Sequence, residues 1–537
     1  MDFQLPIDAW VENIVNYILD NFQPLLDGIA AVVDGFGATI DGALLALPIW
    51  LAVALLTAFS GWRVSIRFGI FTLVSLLLIV SMDSTIVNVA IPSIRRDLGA
   101  SAAQMQWVVD VYTLVLASLL MLSGAAGDRF GRRRVFQIGL TIFACGSLLC
   151  SLAPTADALI AARLVQGIGG SMLNPVALSI ISQVFTDRVE RARALGFWGA
   201  VVGISMALGP TVGGLLIHAV GWRSVFWINL PICLAAIVLT AIFVPESKSG
   251  TMRDVDPVGQ GLAVLFLFGL VFTLIEGPGM GWSHPRTVAI AVMAAVALVA
   301  FLRYERRRRD PFIDLRFFRS IPFAGATVTA VMALTGWGAF LFMMSFYLQN
   351  ERHYSAMHTG IIYLPIAIGA LVFSPLSGRI VGRYGARPSL MAAGILMASA
   401  ALMLTTLTAT TPMWRVVVIF AVYGIGFAMM NAPVTNAAVS GMPVDRAGAA
   451  AAVTSPSRQV GVSIGVALCG SIAGSALAGS GVDFAAQARP LWWMCVGVGV
   501  AVTVLGFVST SPRALRSAER LAPLIEGPRE PEPAGVH

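Results

Sequence analysis

Charge is scarce in this chain. Asp, Glu, Lys and Arg make up 12% of its 537 residues, about half the share found in ordinary soluble domains, and this excludes a soluble globular protein. There are five cysteines but no CxxC and no Cys/His cluster, so a disulfide framework and a metal site both lack the residues they need. No GxxxxGK[ST] phosphate loop and no sizeable polar domain occur, which rules out a self-contained nucleotide-driven pump. Also missing is the apolar/polar alternation over about ten residues that marks a transmembrane barrel strand.

What is present is apolar. Hydrophobic residues reach 57% and the mean hydropathy is +0.82. They fall into runs of about 18 to 25 residues, each enough to cross a ~30 Å hydrocarbon core as a helix. From Phe68 onward fourteen spans are predicted, near 68–92, 104–124, 135–153, 157–180, 195–217, 225–244, 258–276, 287–304, 322–348, 359–377, 389–407, 415–435, 449–477 and 490–509. An additional run, ALLALPIWLAVALLTAFSGW at 43–62, follows a segment holding seven acids and no basic residue. A secretory signal needs a basic start and a shorter core, so this run reads as an extra first helix.

The net charge of +7 does not point to nucleic acid, because the basic residues sit in short connections between spans. GDRFGRRR, TDRVERAR, ESKSGTMRD, RYERRRRDPFIDLRFFRS, GRIVGRYGARP and VDRAG fall at alternate span ends, with Arg95 and Arg96 as exceptions. By the positive-inside rule those ends are cytoplasmic. The expectation is a multi-pass protein of the inner (plasma) membrane, its acidic N-terminus extracytoplasmic and its C-terminus cytoplasmic. Residues 511–537, rich in Pro, Glu and Arg, read as a disordered tail.

The chain also echoes itself. GAAGDRFGRRR at 124 aligns with GRIVGRYGARP at 378, pairing Gly124 with Gly378, Arg129 with Arg383, Gly131 with Gly385 and Arg133 with Arg387; Gly382 stands opposite Asp128. LIAARLVQGIGGSMLNP at 159 is echoed more weakly by FAVYGIGFAMMNAP at 420. Two related six-helix halves explain both, and such repeats are the plan of secondary transporters, in which halves rock about a midplane site. The domains read as 1–67, an acidic segment with the extra helix; 68–244, the first half; 245–310, a central helix pair; 311–510, the second half; and 511–537, the tail.

The loop at 124–136 resembles the signature loop of the major facilitator superfamily. MDSTIVNVAIPSI at 82, ARLVQGIGG at 162, ALGPTVGG at 207, GWRSVFWINLP at 221 and DPFIDLRFFR at 310 narrow the likeness to its fourteen-helix drug:proton antiporter branch, over about 70–510. LPIDAWVENIVNYILDNFQPLLDGIA, within residues 1–62, instead resembles the N-terminus of permease subunits of glycine-betaine-type ABC importers, as a natural fusion or a mis-joined reading frame. The resemblance implies an all-α integral membrane protein of the major facilitator fold: two six-helix halves, a central helix pair and the extra N-terminal helix.

Single residues then stand out. Asp83 lies well inside the first span with no basic neighbour, and an acid at membrane depth marks a functional site by default; proton coupling is expected there. Arg163, more than a turn inside the fourth span, needs a carboxylate, carbonyls or water beside it, and the resemblance implies a part in proton transfer. For Asp110, near the outer third of the second span beside Tyr112, the resemblance implies recognition of cationic drugs. Spacing alone supports an interfacial anchor equally well. Gly209, Pro210, Gly213 and Gly214 break the fifth helix or allow close helix approach; the resemblance implies an interface sealed against proton leak. In the loop at 124–136 Asp128, with Arg129, Arg132 and Arg133, is expected to meet groups of the other half across a turn that Gly124 and Gly131 keep tight. Acids are missing from the membrane-depth parts of 320–510, so ion coupling is expected in the first half. Glu276 reads as a vestibule residue, and Trp337, Phe340, Phe342, Met343, Met344 and Tyr347 as an adaptable apolar wall or, equally well, as ordinary lipid-facing packing.

Together these imply a transporter, not an enzyme, exporting amphipathic cationic drugs by proton antiport. The coupling ion is the proton, with no other cofactor. Its partners are a small-molecule substrate and the lipid bilayer, without nucleic acid or nucleotide; the residues leave a periplasmic adaptor open. Export of a metabolite, lipid or siderophore, or a role beside an importer, are the alternatives.

Overall fold

A computed structural model describes residues 78–184, 205–247, 256–308, 313–439, 447–478 and 484–526. The acidic N-terminal segment, the expected extra helix at 43–62 and the starts of the first and fifth spans lie outside these. Among the described residues every regular element is a helix, because a backbone surrounded by lipid must satisfy its own N–H and C=O groups.

In the first half the helices are α1 (Leu78–Leu98), α2 (Ala102–Phe130), α3 (Arg132–Leu152), α4 (Ala156–Val184), α5 (Ser205–Val220), the short α6 (Ser224–Trp227) and α7 (Asn229–Phe243). The central pair is α8 (Pro257–Met280) and α9 (Pro285–Arg307). The second half holds α10 (Ile321–Phe346), closing in a π turn at Tyr347–Glu351, then α11 (Ala356–Ile362), α12 (Leu364–Tyr384), α13 (Ala386–Leu404), α14 (Met413–Val439), α15 (Ala447–Ala478) and α16 (Phe484–Ser509). Among the described residues eleven spans are long and apolar enough to cross a membrane. Helices α1, α5 and α15 occupy the other positions where spans are predicted.

Within the first half α4 packs on α2 and α3; in the second, α13 packs on α14 and α16, and α15 on α10. The repeat is visible in the turns. Gly131 (φ 111°) separates α2 from α3, and Gly385 (φ 80°) separates α12 from α13. Both conformations disfavour a side chain, but a Cβ at Gly131 would also lie 2.6 Å from Glu246 Oε1, whereas one at Gly385 would meet nothing within 4 Å. Gly131→Val should therefore lose about 1–3 kcal/mol from backbone strain plus the displaced Glu246, and Gly385→Val only the first part. Thermal unfolding of the two purified variants in detergent would rank them.

The halves meet through α2 and α15, at the ends remote from the arginine-rich loops. Gln106 Nε2 donates to the carbonyls of Val466 (2.6 Å) and Ala467 (3.3 Å), and Thr113 and Ser463 share a hydroxyl bond of 2.5 Å. Gln349 Nε2 donates to Val89 O at 2.9 Å and Thr211 Oγ1 to Gly360 O at 2.9 Å. The central pair straddles this seam. Trp107 Nε1 of α2 donates to Glu276 Oε1 (2.8 Å), and Ser471 Oγ of α15 to Leu274 O (2.6 Å). Glu276, expected in a vestibule, is thus a tether between α8 and α2.

One segment differs from expectation. Pro512–Glu526 forms a helix, α17, in place of the start of a disordered tail. Ala514, Ala518 and Leu521 recur at helical spacing and are buried, and Ser517 Oγ accepts from Ile321 N at 3.0 Å. An amphipathic stretch whose apolar face finds a partner is ordered by it, whatever its overall charge.

Candidate functional site: a buried ion pair in the first half

Five helices of the first half converge on Asp83. Gly146 lets α3 and α4 approach so closely that a Cβ there would sit 2.5 Å from Gln166 N, and this brings Ser147 of α3 beside Gln166 of α4. Asp83, on α1, is 1% exposed and Arg163, on α4, 0%. Arg163 Nη1 donates to Asp83 Oδ2 at 2.6 Å. Gln166 Nε2 (3.0 Å) and Asn229 Nδ2 (2.9 Å) both donate to Asp83 Oδ1. Those two amides also donate to Ser147 Oγ, at 2.7 and 3.1 Å. Three donors on one carboxylate, one of them cationic, hold a charge that would otherwise cost several kcal/mol at this depth.

Arg163 is held by two of its three guanidinium nitrogens, its Nη2 having no hydrogen-bond partner among the described residues. Its Nε donates to Val108 O (3.0 Å) and its Nη1 to Gln166 Oε1 (2.6 Å). The guanidinium lies 4.1 Å from the centre of the Tyr112 ring and 5.8 Å from that of Phe226, a cation–π arrangement that offsets part of its desolvation. Tyr112, grouped with Asp110 in the sequence, therefore belongs to the ion-pair site.

Asp110 lies elsewhere. It is 0% exposed on the α2 face that also presents Gln106 and Thr113 to α15, and neither carboxylate oxygen has a hydrogen-bond partner among the described residues. Asp83 and Asp110 thus face different neighbours. The apolar wall is internal too. Trp337, Phe340, Phe342, Met343, Met344 and Tyr347 are at most 1% exposed, and Trp337 stacks on Phe427 at 4.0 Å while Phe340 stacks on Tyr423 at 4.3 Å. These residues form the second half's core.

The charged loop is bonded to its own turn and to the segment that follows α7. Asp128 Oδ1 accepts from Arg132 Nη2 (2.8 Å) and Nε (3.1 Å). Arg133 N donates to Glu246 Oε1 at 3.2 Å and its Nη1 to Val244 O at 3.4 Å, tying the loop to the end of α7. Arg129 lies over Phe130, 5.6 Å from the ring centre. Gly124 meets Pro175 at ordinary distance. A Cβ on Gly209 or Gly213 would strike Thr85 or Ile86 of α1, and one on Gly214 would strike α11 of the other half. The signature glycines, with Pro210 beside them, thus lie where α5 meets both halves.

Several partners escaped sequence reading. Gln166, three residues after Arg163, shares its helix face, while Ser147 and Asn229 were polar residues inside apolar runs. Glu246 gave no signal beyond its charge. Arg458 on α15 is a second cation within a span, donating to Asn431 Oδ1 (3.1 Å) and Thr435 Oγ1 (3.0 Å) of α14.

Two helical halves, a central pair and a buried acid–arginine site in the first half can be set against known proteins. Residues 73–466 match the profile of the Major Facilitator Superfamily. The chain belongs to this superfamily. Among its relatives is the multidrug resistance protein Stp of Mycobacterium tuberculosis, 36% identical over 396 residues, 74% of each chain. The methylenomycin A resistance protein of Streptomyces coelicolor is 38% identical over 395 residues, 73% of this chain and 82% of that one. The fold is shared with a D-xylose-proton symporter whose crystal structure superposes with a TM-score of 0.59 at 16% identity, covering 82% of this chain and 98% of that one. This facilitator is therefore a multi-pass membrane transporter of the drug-efflux type, acting on small molecules, and not an enzyme.

Proposed function

We propose that this facilitator exports amphipathic, cationic drugs across the plasma membrane in exchange for protons. The observation that carries the proposal is the fully buried Asp83–Arg163 pair with its Gln166, Asn229 and Tyr112 cage. A proton arriving at Asp83 cancels the carboxylate's charge and with it the main attraction on Arg163. The guanidinium must then find other oxygens, and the packing of α1, α2 and α4 changes with it. Differential interaction of this kind is what couples an ion to a conformational equilibrium. The relatives' names, multidrug resistance and methylenomycin A resistance, point to drugs as the cargo class.

With the arginine-rich loops in the cytoplasm, the seam bonds of Gln106, Thr113, Gln349 and Thr211 close the outer side. Asp128 bonded to Arg132 of its own half belongs to that inward-facing state; in the outward-facing state it would engage the other half. The gating glycines Gly209, Gly213 and Gly214 supply the close contact in either state. Asp110, sealed in the seam here, would reach substrate only when the seam opens. An inward proton gains about 2.3 kcal/mol per 100 mV of membrane potential, an outward monocation loses the same amount, and in a one-for-one exchange the pH difference, about 1.4 kcal/mol per unit, drives the cargo.

Ethidium efflux from energised cells lacking their own pumps tests this directly. Efflux abolished by a protonophore is the expected result. Efflux that persists with the proton gradient collapsed overturns the energy source, and no efflux by correctly inserted protein overturns the cargo class.

A further inference from the structure

We propose that the basic end of the central helix pair is a binding site for an anionic phospholipid. A cleft of about 430 Å³ opens between α8 and α9, lined by Leu262, Ala300, Arg303, Tyr304, Arg307 and Arg308. Its two ends differ in chemistry. Val296, Ala300, Arg303 and Arg307 follow one another at spacings of four, three and four residues, so they form one stripe along α9; Leu265, Leu262 and Val258 form the facing stripe on α8. Val258, Leu265 and Val296 are 51%, 41% and 61% exposed, as apolar residues are when lipid covers them. The cleft is thus apolar toward the bilayer and cationic at the helix ends, at headgroup depth.

The charges explain why the occupant is an anion. Arg303 and Arg307 are exposed, one helical turn apart, and among the described residues neither has a salt bridge or hydrogen bond. Arg308 is engaged: its Nη1 donates to Asp256 Oδ1 (3.0 Å) and to Tyr304 Oη (2.6 Å). Among the described residues the nearby acids do not face the cleft's mouth. Asp256 is 6% exposed, its Oδ1 further occupied by Gly259 N, and Glu305 is 2% exposed with Oε2 accepting from Ile313 N. Two guanidiniums therefore present unshared donors to a site whose negative groups are buried behind it, an arrangement suited to a phosphodiester.

Topology alone accounts for arginines at this end of the helices. It does not account for their alignment above two exposed apolar stripes, which gives an acyl chain a path continuous with its headgroup. Basic pockets between helices on the cytoplasmic side are the form that such lipid recognition takes. None of the lining residues belongs to the Asp83 cage, and the site does not depend on the transport reading.

Native mass spectrometry of the delipidated full-length protein, titrated with phosphatidylglycerol, phosphatidylcholine or inorganic phosphate, tests the site. Phosphatidylglycerol should bind saturably, phosphatidylcholine far more weakly, and phosphate should neither bind nor displace the lipid. Arg303→Gln/Arg307→Gln should weaken phosphatidylglycerol about 30-fold. Arg306→Gln, an exposed arginine outside the cleft, should leave it unchanged. In the wild-type protein a photoreactive phosphatidylglycerol should label the cleft segments of α8 and α9. Equal binding by the double variant, or labelling spread evenly over the spans, overturns the proposal. Phosphate binding as strong as the lipid's would make this a free-anion site and overturn the lipid assignment.

Discussion

Asp83→Asn is expected to remove uphill export altogether while leaving the protein inserted and folded. One proton entering for each singly charged cation leaving moves no net charge, so a pH difference of one unit sustains a cargo ratio of about 10-fold, and a carboxamide that cannot exchange a proton gives that ratio up. The carboxamide keeps the size of the acid and its oxygen can still accept from Arg163, Asn229 or Gln166, while Val108 O, Gln166 Oε1 and the Tyr112 ring still hold the guanidinium, so the variant should fold although it loses part of the pair's stability. What disappears is the change of charge that moves Arg163. The measurement is ethidium accumulation at steady state in energised membranes, compared with downhill flux of preloaded dye. Uphill transport lost with downhill flux retained is the expected pair of results. Undiminished uphill export by Asp83→Asn would take Asp83 out of the coupling step.

The second large effect concerns stability. Arg163→Ala leaves Asp83 charged, buried and without its cationic partner, and breaking one side of a buried pair costs about 3–5 kcal/mol. The Tyr112 ring also loses the guanidinium that lies 4.1 Å from its centre. Asp83→Asn combined with Arg163→Ala should recover a large part of the loss, because the remaining polar group is neutral and Gln166, Asn229 and Ser147 can satisfy it. Thermal unfolding of the single and double variants in detergent completes the cycle. Additive destabilisation by the two changes would show that the pair does not act as a unit.

The two halves of the molecule differ in what they do with charge. In the first, five helices surround an ion pair; in the second, the corresponding interior is filled by stacked rings, Trp337 on Phe427 and Phe340 on Tyr423. A stacked aromatic core is rigid, and it gives the acid–arginine cage a firm body to move against. The central pair, tethered by Glu276 to α2 and by Leu274 O to Ser471 of α15, joins the two bodies on one side of the seam.

The sequence by itself determined the helical fold, the two-fold repeat and the membrane-depth charges Asp83 and Arg163. The reason is that lipid imposes a length and an apolar composition on every span, so exceptions inside a span are visible one residue at a time. It also located the turn glycines, since a positive φ leaves few choices of residue. Which exceptions belong together was settled only by the tertiary structure. Asp83 and Arg163 are 80 residues apart, and Gln166, Ser147 and Asn229 join them because α3, α4 and α7 happen to cross there. Tyr112 and Asp110 are two residues apart in the chain, yet one faces the cage and the other the seam, because a helix turns by about 200° over two residues. The start of the tail was misjudged from the sequence for a related reason, and the bond between Glu276 and Trp107 could not be foreseen there. A polar group's role depends on whether a partner reaches it, and partners from distant segments leave no trace in local composition.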